Sequence, residues 1–350
     1  MNRKELLLSA LCICIGACAV AAEQSSNPIL RKSDPGFLYA ADPAAEVFDG
    51  KVYLYCSRDQ PDARNYSSMQ DYMILESSDL KTWINHGVVL KPRTDVGFEY
   101  ASGQMNAPDC AYKDGWYYWY FPYDKTHVGV AKSKSPTGPW ESAVSAKITT
   151  IFDPTVFVDD DGQAYIYGSD NKVNIGEPGY HLFGAKLKDN MLELDGPWVR
   201  LSKEPVAEAV TIFKRNGIYY FMARVESFPK TGYWMADNPL PSPDNPDAPD
   251  AHIYNDQDSG YASYQGLITT DEGHNVSAPS HMSAIEFKGE WYYFYHRGDV
   301  NSGSTCRRSA CFDKMNFNQD GTLQMIEYTL DPSVKPSAPR PRRKRNKRKK

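Results

Sequence analysis

Residues 42–59, DPAAEVFDGKVYLYCSRD, contain a complete hairpin: a short apolar strand opened by Asp42, a tight turn at Gly50 and a second apolar strand with two tyrosines. Glycine suits such a turn because it takes positive φ without a Cβ clash. Four later stretches read the same way. They are APDCAYKDGWYYWYFPYD from Ala107, DPTVFVDDDGQAYIYGSD from Asp153, EAVTIFKRNGIYYFMARV from Glu208 and HMSAIEFKGEWYYFYHRG from His281. Their turn glycines, Gly50, Gly115, Gly162, Gly217 and Gly289, are 65, 47, 55 and 72 residues apart. A unit of strands alone, repeated at about that length, is the mark of propeller blades. The predicted fold is therefore all-β, a five-bladed β-propeller. Radial blades would bring the opening residues Asp42, Asp109, Asp153, Glu208 and His281 to one axis. Four carboxylates and a histidine in one ring read as a catalytic pocket.

Outward from each hairpin the chain supplies a second half-blade. DYMILESSDLKTWINHGVVL from Asp71 and HVGVAKSKSPTGPWESA from His127 follow the first two copies, and RRSACFDKMNFNQDGTLQMI follows the fifth. Short alternating strands between Ser, Asp, Gly and Pro turns predict antiparallel sheet. The proline-rich stretch Pro239–Gly260 cannot be a central strand and reads as a surface loop interrupting the fourth blade. No long apolar stripe of helical period follows residue 22, and no later apolar run is long enough to span a bilayer.

Residues 1–22 read as a targeting segment: Arg3 and Lys4, an apolar run from Leu6 to Ile15, then small residues. Two processing readings stay open. Val20-Ala21-Ala22 suits ordinary cleavage before Glu23, while Ile15-Gly16-Ala17-Cys18 resembles a bacterial lipoprotein signal that would place a lipid anchor on Cys18. Either way the chain is expected to be exported, to periplasm, outer membrane or medium. Residues 23–335 form the propeller domain and 336–350 a disordered basic tail. Outside the targeting segment the cysteines are Cys56, Cys110, Cys306 and Cys311, the last two near enough in sequence for a hairpin disulfide. The net charge of −5 hides two regions. The final RPRRKRNKRKK holds nine basic residues and no acid, leaving 30 basic against 44 acidic residues in the rest. An acidic body excludes nucleic-acid binding by the folded domain.

The ring of carboxylates suits glycosidic-bond cleavage. That reaction needs a proton for the leaving oxygen and, with inversion, a second carboxylate about 6.5–9.5 Å away to activate water. The donor's pKa must be raised by an apolar site or neighbouring negative charge.

Several phrases together resemble glycoside hydrolase family 43. They are NPILRKSDPGFLYAADPAAEVFDGKVYLY, DPTVFVDDDGQAYIYGS, EAVTIFKRNGIYYF, SSDLKTW, SPTGPW, SHMSAIEFKGEWYYFYH and RRSACFD, in family order over roughly residues 27 to 328. The resemblance implies a five-bladed propeller acting with inversion on arabinose- and xylose-containing polysaccharides. It implies Asp42 as general base, Glu208 as general acid and Asp153 as the carboxylate that orients the acid and modulates its pKa. It further implies substrate-binding or pocket roles for Asp109, His281 and Arg308, the last either binding a sugar hydroxyl or orienting Asp153. No cofactor is required by this chemistry. A structural calcium near the axis is the metal the resemblance allows, with His281 contacting it through water. The expected partner is an oligo- or polysaccharide. Two positions depart from the family pattern: Thr211 where an aromatic often follows the acid, and Asn106 where tryptophan is expected. Tyr39, Phe98 and Tyr100 are candidate rim aromatics for stacking on sugar. Three readings follow: an exo-acting α-L-arabinofuranosidase or β-D-xylosidase, an endo-acting arabinanase, or a non-catalytic surface glycan-binding lipoprotein on the same scaffold.

Overall fold

The structure, a computed structural model, describes residues 27–334 other than 99–104, 123–126, 144–147, 150, 171–180, 226–229, 243–259 and 270–280, together with residue 336. The targeting segment with Cys18, Tyr100, most of the proline-rich loop and the basic tail lie outside the described residues.

Five antiparallel sheets follow one another along the chain. Blade I is built from Tyr39–Phe48, Lys51–Asp59, Tyr72–Ser77 and Ile84–Leu90, and blade II from Asp109–Lys113, Trp116–Pro122, His127–Ser133 and Glu141–Ser142, with Ile148–Thr149 beside the third strand. Blade III uses Ile151–Val158, Ala164–Asp170, Leu182–Lys186 and Val199–Arg200, and blade IV uses Glu208–Arg215, Ile218–Val225, Lys230–Ala236 and Ser263–Leu267. Blade V has Met282–Phe287, Glu290–Arg297 and Ser309–Lys314. Each quoted hairpin supplies the two innermost strands of its blade.

The aromatic surplus sits between blades. Each sheet is covered on both faces, so its inner strands are mostly buried and successive side chains serve opposite neighbours. On Lys51–Asp59, Tyr53 and Tyr55 join the cluster shared with blade II, which includes Tyr72, Trp119 and Phe121. Val52, Leu54 and Cys56 on the same strand face blade V, against Phe287 and Phe294. Three further clusters fill the II–III, III–IV and IV–V interfaces. Five interfaces for five blades mean that the ring closes. Hydrogen bonds seal the junction between its ends. The Ile29 amide donates to the Ala310 carbonyl at 2.9 Å, and Asn27 brackets Phe312 by donating to its carbonyl (2.6 Å) and accepting from its amide (2.9 Å). The N-terminal segment thus runs along the last strand of blade V. At the axis, the Ser283 hydroxyl donates to the Pro43 carbonyl and accepts from the Ala45 amide, each at 2.9 Å.

The four cysteines in the described residues are buried and free, so the hairpin disulfide expected between Cys306 and Cys311 does not form. The run Asp159–Asp161 is a turn: the Asp159 amide donates to the Gln163 carbonyl (2.9 Å), and Lys214 caps Asp159 and Asp160 from blade IV.

Candidate active site

Three innermost strands carry the same irregularity. In blade I, Ala41 pairs with Ser57 and Ala44 with Tyr55, so Asp42 and Pro43 face Cys56 alone. In blade III, Asp153 and Pro154 likewise face Gly168, and in blade IV, Ala209 and Val210 face Ala223. Such a bulge bends its strand and re-aims one side chain. It also tolerates proline, which has no amide hydrogen for the ladder. Asp42 (φ +49°), Asp153 (φ +50°) and Ala209 (φ +62°) take the left-handed conformation there. Holding a non-glycine residue in that region costs on the order of 1 kcal/mol or more. Blade II begins at Asp109 in unbroken register, and His281 precedes the first strand of blade V. The five opening residues are therefore not equivalent. Asp42 and Asp153 occupy the bulge itself, and Glu208 stands one residue before it, paired with Arg224.

Both oxygens of the buried Asp42 carboxylate are held. Arg308 Nη1 donates to Oδ1 at 2.6 Å and the Ser57 hydroxyl to Oδ2 at 2.8 Å. Burial pushes this carboxyl upward, but Arg308, the imidazoles of His296 and His281, and Ser57 outweigh it, leaving the pKa at about 2. Burial itself keeps both imidazoles neutral, His281 near 4 and His296 well below its usual value, so Arg308 and Ser57 are the partners that matter at neutral pH. Asp153 behaves oppositely. Burial, then the charges of Glu208 and Asp42, push it well above the carboxylate range. Its Oδ2 accepts from the Ala209 amide at 3.3 Å, and its buried Oδ1 has no partner among the described residues. Glu208 is raised by burial and by the charge of Asp42, while Arg224 Nη1, 3.2 Å from Oε1, pulls the other way. One carboxylate is kept ionised and two are kept protonatable, within electrostatic reach of each other. That division permits acid and base work at a single pH.

The remaining expectations sort by position. Arg308 reaches Asp42 and Asp59, not Asp153. His281 Nδ1 lies 3.8 Å from Asp153 Oδ2, beyond a hydrogen bond. Asp109 lies deeper, lining an axial channel of about 490 Å³ together with Glu46, Thr155 and His281. Its Oδ2 accepts from the Thr155 hydroxyl (2.8 Å) and the Val156 amide (2.6 Å), and its Oδ1 from the Cys110 amide (2.9 Å). Asp109 therefore braces blade II against blade III, and burial lifts its pKa to about 6. Tyr39 and Phe98 are buried and offer no rim surface. Tyr66, in the loop after the second strand of blade I, is 36% exposed and lies over Arg308, with Cζ 5.1 Å from its ring centroid. Asn106 keeps a buried side-chain oxygen without a partner among the described residues.

The sequence reading missed Ser57, Asp59, Tyr66, Arg224 and His296 as parts of this site. Ser57 and Asp59 had one available signal: they alternate on the strand opposite Asp42. Arg224 likewise faces Glu208 across its hairpin.

Calcium wants six to eight oxygen ligands. Among the described residues no cluster of three or more His, Cys, Asp or Glu side chains could hold a metal. Asp109 spends its oxygens on hydrogen-bond donors and His281 offers a ring nitrogen where calcium takes oxygen, so this donor set does not fit a directly ligated calcium.

Comparison with known proteins decides the family. The family model for glycosyl hydrolases family 43 matches residues 25–323. The chain belongs to glycoside hydrolase family 43. It is 30% identical over 334 residues to a xylosidase/arabinosidase of Bacteroides ovatus, covering 83% of this chain and 95% of that protein. It is also 30% identical over 341 residues to xylosidase/arabinosidase 43A of Humicola insolens, covering 82% and 96%. A family 43 β-xylosidase/α-arabinofuranosidase from a compost microbial metagenome superposes with a TM-score of 0.66 at 29% identity, covering 84% of this chain and 96% of that one. That protein was solved with xylotriose in a calcium-free form. The family 43 chain described here is a glycosidase on a five-bladed propeller. Among its described residues no helix is long and apolar enough to cross a membrane.

Proposed function

We propose that this family 43 glycosidase removes terminal arabinofuranosyl or xylosyl units from polysaccharide, with inversion, using Asp42 as base and Glu208 as acid. The observation that carries the reading is the opposed protonation of the carboxylates on three bulged strands. The names of the relatives supply the sugar class.

In this mechanism Asp42, anionic throughout the working pH range, takes a proton from the attacking water. Arg308 and Ser57 hold one lone pair of each oxygen, leaving the others to orient that water. Glu208, whose carboxyl burial pushes upward, gives its proton to the departing glycosidic oxygen. Asp153 is coupled to Glu208, so ionising both carboxyls of the pair is opposed and a proton is retained between them above the usual carboxylate range. Tyr66, about a third exposed, offers a ring beside the site. The targeting segment supports an exported enzyme meeting plant or algal polysaccharide outside the cytoplasm.

The test is turnover of nitrophenyl α-L-arabinofuranoside and nitrophenyl β-D-xyloside by wild type and Glu208→Gln, with the first-formed anomer followed by NMR. Release of the inverted monosaccharide from the start, lost in the variant, is the expected result. Retained configuration would overturn the mechanism, and oligosaccharides in place of monosaccharide as first products from arabinoxylan would overturn the exo mode.

A further inference from the structure

We infer that Asp59, at the end of the second strand of blade I, is the positioning residue that sets the Arg308 guanidinium against Asp42; this rests on reading Asp42 as the base. A guanidinium has five N–H donors in a rigid planar fork, and here four have partners. Nε donates to Asp59 Oδ2 and Nη2 to Asp59 Oδ1, each at 2.9 Å, in a bidentate grip. The second Nη2 donor points to the Met69 sulfur at 3.1 Å, and Nη1 supplies the 2.6 Å bond to Asp42. The other Nη1 hydrogen has no partner among the described residues. Tyr66 lies over the guanidinium, with Cζ 5.1 Å from the ring centroid. Asp59 also accepts from the Arg308 backbone amide at 2.8 Å, so it fixes both ends of that residue.

The consequence is geometric. With the fork locked edge-on by Asp59, which is 1% exposed, Arg308 cannot turn its own bidentate edge onto Asp42. A bidentate grip on Asp42 would take a lone pair from each of its oxygens and leave fewer to orient the attacking water. The present arrangement spends one donor on the base and leaves one for a sugar hydroxyl. Asp59 also offsets the arginine's charge, which would otherwise depress the basicity of Asp42 further. Ser57 and Asp59 lie on one face of the same strand. That strand end therefore orients both oxygens of Asp42, one directly and one through Arg308.

A salt bridge that merely stabilised the fold would look the same in a static view, so the test measures coupling. Asp59→Asn, Arg308→Gln and the double variant are made in the full chain. They are assayed for kcat and KM on the nitrophenyl glycosides, with folding followed by near-UV circular dichroism. Asp59→Asn is expected to lower kcat/KM by about 10²-fold, the scale of a small misplacement at a reacting centre, mostly through kcat. The double variant should fall within about 3-fold of Arg308→Gln alone, because Asp59 acts only through that arginine. Wild-type kinetics in folded Asp59→Asn, or losses that multiply independently, would overturn the inference. Should Asp59→Asn not fold, Asp59→Glu keeps the charge balance and shifts the fork by one methylene. It is expected to fold with lowered kcat, and wild-type activity there would equally overturn the inference. An active Asp42→Asn variant would instead sink the assignment of the base, which separates the two failures.

Discussion

The backbone amide of Asp42 donates to His296 Nδ1 at 3.0 Å, tying the bulge of blade I to the second strand of blade V. The bond requires a bare Nδ1, and burial together with Arg308 keeps the imidazole neutral. A bulged residue has lost its ladder partner, and His296 supplies the missing acceptor. His296→Ala strands a buried amide, at a cost of about 1–3 kcal/mol in unfolding free energy. Denaturant melts should show that loss, and steady-state assays should show lowered kcat with little change in KM.

If Glu208 is the acid, its removal matters in proportion to how badly the leaving group needs a proton. Glu208→Gln should lower kcat/KM on natural oligosaccharides by about 10²–10⁴-fold. The loss should be far smaller on a dinitrophenyl glycoside, whose leaving group departs as a stable anion. Equal losses on both substrates would assign Glu208 to binding.

The pH dependence follows from the shifts. Glu208 and Asp153 are raised, so the active, protonated acid persists above the usual carboxylate range, and activity falls as pH rises through the raised value. Asp42 is lowered to about 2, so its ionisation does not shape the profile near neutrality. Asp153→Asn removes the second carboxyl of the coupled pair, so the last proton no longer leaves against a neighbouring charge, and the alkaline limb of kcat/KM should move to lower pH. A pH series on both proteins, in which an unmoved limb would count against the coupling, checks this. For stability the Asp42 sign is opposite. Its contribution is full above the unfolded value near 3.8 and is lost as pH falls toward 2.

Ring closure rests on packing. Trp119 is fully buried in the I–II interface, edge-on to Tyr55 at 4.8 Å between centroids and to Trp140 at 5.0 Å. Trp119→Ala should cost about 3–5 kcal/mol. Ser283→Ala, which removes the bridge between Pro43 and Ala45, should cost about 1–3 kcal/mol. Calorimetry on each variant reads both effects, with the larger drop in melting temperature expected for the tryptophan.

Much of this architecture was legible because it is local or repetitive. Five turn glycines, five aromatic second strands and the alternation of side chains along each predict five blades without any long-range contact. The positions of Asp42 and Asp153 were legible because each opens a repeated blade phrase; the bulge that re-aims them was not, since Asp-Pro is also an ordinary turn opener, as at Asp34-Pro35. Asp109 read as a ring member because its phrase matches the others, yet its carboxylate turns to the amides of blade III. Nothing in residues 107–113 records that Val156 and Thr155 will lie beside it. The rim aromatics went astray on the same point, since Tyr39 and Phe98 are buried by neighbours remote in sequence while Tyr66 is left partly uncovered.

What the sequence determined alone was the period: strand, turn, strand, the blade count and the chemical identity of the residues opening each blade. These depend on side-chain alternation and turn conformation, which act within a few residues. The tertiary structure decided which carboxylates meet and which charge state each keeps. Asp42, Asp59 and Arg308 are separated by up to 266 positions, and only closure of the ring sets them in contact. A carboxylate's pKa depends on its burial and on charges within a few ångströms, and those neighbours come from other blades.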